Sequence, residues 1–127
     1  MTTTFVGIDL GTTNSAISTY DGDVLRVHKS PEQNDVTPSV IYFDARGNRF
    51  VGKRAYDNSV HSPDSTAMLF KRLMGTGTPI AVPAARLALT PEQCSAEVLR
   101  VLYGYLPENI RHAAVAVSAF VAWLMLS

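Results

Sequence analysis

Gly7-Ile8-Asp9-Leu10-Gly11-Thr12-Thr13-Asn14-Ser15 is the stretch from which the rest of this chain is read. Phe5 to Asp9 is a short apolar run that ends on an acid, the pattern of a buried strand. Gly11 breaks the run, and a polar segment follows. Ala16 to Tyr20 reads as a second strand, Asp21-Gly22 as a tight turn, and Val24 to Val27 as a third strand. The expected unit is a meander of three short strands with a polar loop between the first two.

That loop carries the chemistry. Backbone N–H groups exposed in such a turn form a concave nest suited to phosphate oxygens. The hydroxyls of Thr12 and Thr13 add donors, and Gly11 lets the backbone approach without a Cβ. A carboxylate next to a phosphate repels it unless a divalent cation lies between them. Asp9 therefore makes sense as a partner of Mg²⁺, directly or through its hydration water. A Walker A loop is excluded, because no Gly-Lys-Ser/Thr opens a helix. A dinucleotide fingerprint is excluded by the glycine spacing and by the strand that follows. The same Gly and Thr residues would also serve a plain hairpin turn, and the sequence alone leaves both readings open.

Working outward, Ser30 to Pro38 is a loop by composition. Ser39 to Phe43 and Arg49 to Val51 form a hairpin around Asp44-Ala45-Arg46-Gly47-Asn48. A short helix is expected from Lys53 to Ser62-Pro63. A second helix, capped by Asp64 or Ser65, is expected to carry Met68, Leu69, Leu73 and Met74 and to stop at Gly75. Thr76 to Leu89 is punctuated by Gly and Pro and reads as irregular, with room for one short strand. Thr90-Pro91-Glu92-Gln93 is a capping box with proline at the first helical position. Cys94, Val98, Val101 or Leu102, and Tyr105 continue it as an amphipathic helix that ends by Pro107. Ala114 to Val117 reads as a further buried strand. The class is α/β, strand-rich at the start with helices entering later.

Composition narrows the function. With 127 residues the chain suits one domain, and 11 basic against 11 acidic residues give no net charge. Such a balance offers no electrostatic footprint for nucleic acid or an anionic membrane. The single cysteine, Cys94, excludes an internal disulfide and fits a reducing, cytoplasmic setting. The first residues lack the basic head and apolar stretch of a signal peptide, so chain start and domain start are expected to coincide. Ala113 to Ser127 carries no charge but is shorter than the about 18 to 20 apolar residues of a membrane span. A core strand followed by a few apolar residues is the expectation there.

A second constellation is Phe70-Lys71-Arg72-Leu73-Met74-Gly75, with two adjacent cations in the last turn of the expected helix. They would complement the helix dipole, or Lys71 would reach a γ-phosphate and its attacking water. Spacing does not choose between these. His28, His61 and His112 show no metal-ligand spacing, and Cys94 is expected to be packed and inert. Tyr42, Phe43, Phe50 and Tyr56 are expected in the core or the hairpin.

Taken together, these segments resemble the Hsp70 chaperone family. Gly7 to Ser15 matches that family's first phosphate loop, and Val36-Thr37-Pro38-Ser39-Val40-Ile41 looks like its Thr-Pro-Ser lead-in to the outer lobe. Val51-Gly52-Lys53-Arg54-Ala55, Phe70 to Gly75, Ser95-Ala96-Glu97-Val98-Leu99 and Ala114-Val115-Ala116-Val117 follow in the family's order. The likeness spans about residues 5 to 120. The Asp-x-Gly-Thr-Thr element is shared with actin-like proteins and sugar kinases, whereas the Lys-Arg-Leu segment points to Hsp70.

The resemblance implies part of an actin-like ATPase (ribonuclease H-like) fold: the first inner lobe and much of the outer lobe, with the second half missing. It implies ATP and Mg²⁺ as cofactors. Gly11, Thr12, Thr13 and Asn14 would bind the nucleotide phosphates, Asp9 would hold hydrated magnesium, Lys71 would be the catalytic lysine, and Arg72 would lie at the phosphate or lobe interface. Partners in the family are ATP and ADP, unfolded peptides, J-domain co-chaperones and nucleotide exchange factors.

Departures temper this. The Thr76 to Leu89 linker is shorter than in typical members, and Val117-Ser118-Ala119-Phe120-Val121 replaces the usual Val-Pro-Ala turn with its aromatic pair. Residues 1–120 are expected to be the N-terminal portion of an Hsp70-type nucleotide-binding domain, and 121–127 a divergent apolar tail. These 127 residues hold no second phosphate loop, adenosine-binding segment or peptide-binding domain, so a truncated or frame-shifted product or a fragment, not competent as an ATPase, is expected. A sugar-kinase-like phosphotransferase and a non-enzymatic interaction piece driven by the tail are the alternatives.

Overall fold

Val6, Ile8 and Leu10 alternate with more exposed neighbours, so the first strand turns one face to the core. The structure, a computed structural model, describes residues 4–111. Strand β1 (Phe5–Leu10) pairs antiparallel with β2 (Asn14–Tyr20), from Phe5 opposite Tyr20 to Leu10 opposite Ser15. Along its other edge β2 meets β3 (Leu25–His28) over Ile17 to Tyr20, and the two-residue β4 (Thr37–Pro38) at Asn14 and Ser15. The expected meander is present. Its tight turn is held by the Asp21 carboxylate, which accepts from the N–H groups of Asp23 and Val24. Those bonds hold the Asp21 carboxyl below its ordinary pKa.

A second sheet has β5 (Val40–Phe43) between β6 (Arg49–Val51) and β7 (Thr66–Met68), both antiparallel to it. The β5–β6 turn is closed by Asp44, which accepts from the backbone of Arg46 and Asn48 and from the Asn48 amide. Tyr42 and Phe50 face one another across the hairpin, ring centroids 6.1 Å apart, while Phe43 enters the core. Helix α1 (Lys53–His61) follows where the sequence places it.

The second expected helix does not form. Residues Pro63–Ser65 make a single 3₁₀ turn, Thr66–Met68 become β7, and Phe70–Leu73 make another 3₁₀ turn. Neither Asp64 nor Ser65 caps a helix. The physical reason is competition for the open edge of β5: pairing Val40, Ile41 and Tyr42 with Met68, Ala67 and Thr66 satisfies backbone groups that a helix would leave bare. Leu69, at φ 58, then turns the chain out of the sheet. Gly75 does adopt the left-handed conformation expected of it, at φ 78.

Thr76 to Leu89 is more ordered than its composition suggests. Strands β8 (Ile80–Val82) and β9 (Leu87–Leu89) form a hairpin over a 3₁₀ turn at Pro83–Ala85. Helix α2 (Pro91–Tyr103) begins with the expected capping box: Thr90 Oγ1 accepts from Gln93 N, and Gln93 Oε1 accepts from Thr90 N. Pro91, Cys94, Ser95, Val98 and Leu102 are its buried face. Of the two candidates Val101 and Leu102, Leu102 is the buried one. That face meets Val6, Ile8, Leu10 and Ile17 of the first sheet, Ile41, Phe43 and Ala67 of the second, and Val82 and Leu89 of the hairpin in one core. The four-residue α3 (Glu108–Arg111) is the last described element. His112, the expected strand Ala114 to Val117 and the apolar run to Ser127 lie outside the described residues.

Candidate functional site

The bend between β1 and β2 needs a residue without a side chain, and the reason is steric. A Cβ on Gly11 would stand 2.1 Å from the carbonyl oxygen of Asn14, closer than any real contact. Gly11 is absent from the left-handed glycines, so close backbone approach, and not an unusual φ, selects it. Three further bonds hold the bend from outside. Ser39 N–H donates to Thr13 O at 2.9 Å, Ser39 Oγ donates to Gly11 O at 2.9 Å, and Ser39 Oγ lies 2.8 Å from Ser15 Oγ. Both serines are buried. Thr12 takes no part in these bonds; it is half-buried and Thr13 is exposed.

Beside the bend is a cleft of about 40 Å³, where Thr12, Thr13 and Ser39 meet Val40, Tyr56, Met68 and Leu69. That volume admits a few waters or one small oxyanion group, well below the roughly 300–1,000 Å³ of sites that enclose an organic ligand. No cationic side chain occurs from Phe5 to Tyr20, and Asp9 is the one acid there. Any anion at the bend would therefore meet backbone dipoles and hydroxyls and no cation from this segment.

The residues expected at the site fall into two groups. Gly11, Thr12, Thr13 and Asn14 share the bend, with Asn14 already paired to Pro38. Asp9 is exposed on β1 opposite Ala16, just before the bend. Lys71 and Arg72 sit in the 3₁₀ turn after Leu69, Lys71 partly buried and Arg72 exposed. Leu69 reaches the cleft, so the turn starts at its rim, although neither cation is among the lining residues. Tyr56 was expected in the core or hairpin; it lies instead on α1, 53% exposed, at the cleft. Ser39 and Leu69 were not singled out, since their partners are far away in sequence.

The Thr12 and Thr13 hydroxyls beside a Cβ-free corner are donors compatible with a phosphate group, while the rest of the cleft wall is mainly apolar and Asp9 stands outside its lining. Among the described residues no three of His, Cys, Asp and Glu gather as a metal cage, so any ion there would keep most of its water. His28 bonds Thr19 Oγ1 at 2.8 Å; burial, with help from Arg26, pushes its pKa down. Cys94 is buried, and burial pushes its thiol up to about 12, as expected of a packed and inert cysteine.

A family model described as Hsp70 protein matches residues 5–81, more than half of the chain. The chain belongs to the Hsp70 family. The matched span includes the bend, Thr37-Pro38-Ser39, the start of α1 and Phe70 to Gly75. The protein is thus an Hsp70-like chaperone segment, from a family of the actin-like ATPase fold that binds nucleotide with Mg²⁺. Its small sheets and few helices agree with part of such a domain. Among the described residues no helix is long and apolar enough to cross a membrane.

Proposed function

We propose that residues 9–14 form the phosphate-binding side of an Hsp70-type ATP site, within the N-terminal portion of a nucleotide-binding domain. In this reading the hydroxyls and N–H groups of Thr12 and Thr13, with Gly11 and Asn14, hold the β- and γ-phosphates. Asp9 holds a hydrated Mg²⁺, which supplies the charge that lets a carboxylate stand beside a phosphate. Lys71 approaches from the turn after Leu69 and stabilises charge on the transferring phosphoryl group, and Arg72 lies at the phosphate or lobe interface. The one observation that carries the reading is the Cβ-free corner at Gly11, beside which Thr12 and Thr13 line a cleft.

The described residues supply one wall, so ATP bound by these 127 residues gains little of the burial that a closed site provides. The chain by itself is then a weak nucleotide binder and not a competent ATPase. In the longer setting of its family it would serve ATP-driven capture and release of unfolded peptides, with J-domain and exchange-factor partners, in a reducing cytoplasm. Titrating the ¹⁵N-labelled chain with Mg-ATP tests this: the amides of Gly11 to Asn14 should shift without saturating below about millimolar nucleotide, where the free energy of binding is about −4 kcal/mol. No shift at those amides would remove the site, and micromolar saturation would overturn the one-walled argument.

A further inference from the structure

The geometry assigns Ser39 as the positioning residue of the bend, a role that rests on the nucleotide reading for its use but not for its existence. A serine hydroxyl has a single proton to donate. Ser39 Oγ places it on Gly11 O, so the 2.8 Å contact with Ser15 must be Ser15 Oγ–H donating to Ser39 Oγ. The result is a directed chain, Ser15 to Ser39 to Gly11, with both serines buried and its Gly11 end half-buried. The main chain adds a second tie, from Ser39 N–H to Thr13 O. One residue between β4 and β5 thus grips the carbonyls on both sides of Thr12. Both carbonyls are thereby engaged by Ser39, which itself lines the cleft, so neither is left to present an unpaired negative dipole to an anion there.

The arrangement separates orientation from stability. Ser15→Ala removes a buried hydrogen bond but leaves Ser39 on Gly11 O. Ser39→Ala frees that carbonyl and strands the Ser15 hydroxyl. Amide hydrogen exchange in the ligand-free chain should rise about 3- to 10-fold at residue 39, whose N–H holds Thr13 O, in Ser39→Ala, the span of one hydrogen bond. In Ser15→Ala it should stay near wild type at that amide. Ser39→Cys, a weaker donor of similar shape, should fall between the two and serves if Ser39→Ala does not fold. Equal exchange in the Ser15 and Ser39 variants, at matched stability, would overturn the assignment. Mg-ATP is then added to each: a wild-type chain with no response at the bend refutes the nucleotide reading alone. A wild-type response that Ser39→Ala retains in full refutes the use of the clamp for binding.

Discussion

At the residue scale, the position with least freedom is Gly11. The atom in the way is the backbone oxygen of Asn14, which cannot rotate aside as a side chain could. Gly11→Ala must therefore open the bend or displace Asn14, which also carries the first pairing with β4. Overpacking of this kind costs about 1–3 kcal/mol. Urea unfolding should show that loss, whereas Gly7→Ala, whose Cβ would meet only the Ser18 hydroxyl at 3.3 Å, should cost less. Equal stability of the two variants would show that the bend relaxes freely, and the cradle argument would go with it. The need for glycine at position 11 was legible from the sequence; the identity of the clashing atom was not, because it depends on how far the turn closes.

Elements divide by where their instructions reside. The start of α2 is written locally: Thr90, Pro91 and Gln93 supply a cap, a preset φ and a return bond within four residues. Thr90→Ala should accordingly cost about 1 kcal/mol, read as a fall in the urea midpoint with an unchanged slope. A neutral result would mean that the core contacts of Cys94 and Val98 hold the helix start unaided. The segment after His61 shows the opposite case. Met68, Leu69, Leu73 and Met74 fall at helical spacing, yet Thr66, Ala67 and Met68 are taken by the edge of β5, a partner more than twenty residues away. Periodicity counts apolar positions and is blind to an unpaired strand edge elsewhere. The β8–β9 hairpin was missed for a related reason: its turn is made by Pro83–Ala85 and by Arg86 at φ 56, where neither glycine nor asparagine marks the left-handed residue. The candidate site shares this division. Gly11, Thr12 and Thr13 are contiguous and were readable, while Ser39 and Tyr56 arrive by folding.

For the whole molecule, the question is what fixes the second sheet against α2, since a hydrophobic core is indifferent to small slides. Glu97 on α2 accepts from Arg49 of β6 at 2.6 Å and from Arg100 of its own helix. Arg49 also lies over the Phe43 ring, 5.3 Å from its centroid, so one side chain ties strand, helix and core rim together. Burial by itself would raise the Glu97 carboxyl, but the hydrogen bonds from Arg100 and Arg49 outweigh it and hold the pKa below the ordinary carboxylate value. A carboxyl depressed in the folded state contributes stability that is present above its unfolded pKa and is lost as pH falls through the folded one. Glu97→Gln should thus be less stable than wild type by about 0.5–1 kcal/mol at pH 7, the scale of a partly screened pair. The difference should close as the pH falls through the depressed folded pKa, where wild-type Glu97 takes up its proton and the arginines lose the charge they face. Urea midpoints of both proteins, followed from pH 7 downward, measure this. A gap that persists undiminished at low pH would mean that Glu97 acts through packing, leaving the apolar contacts of Val98 and Leu102 as what sets the register between sheet and helix.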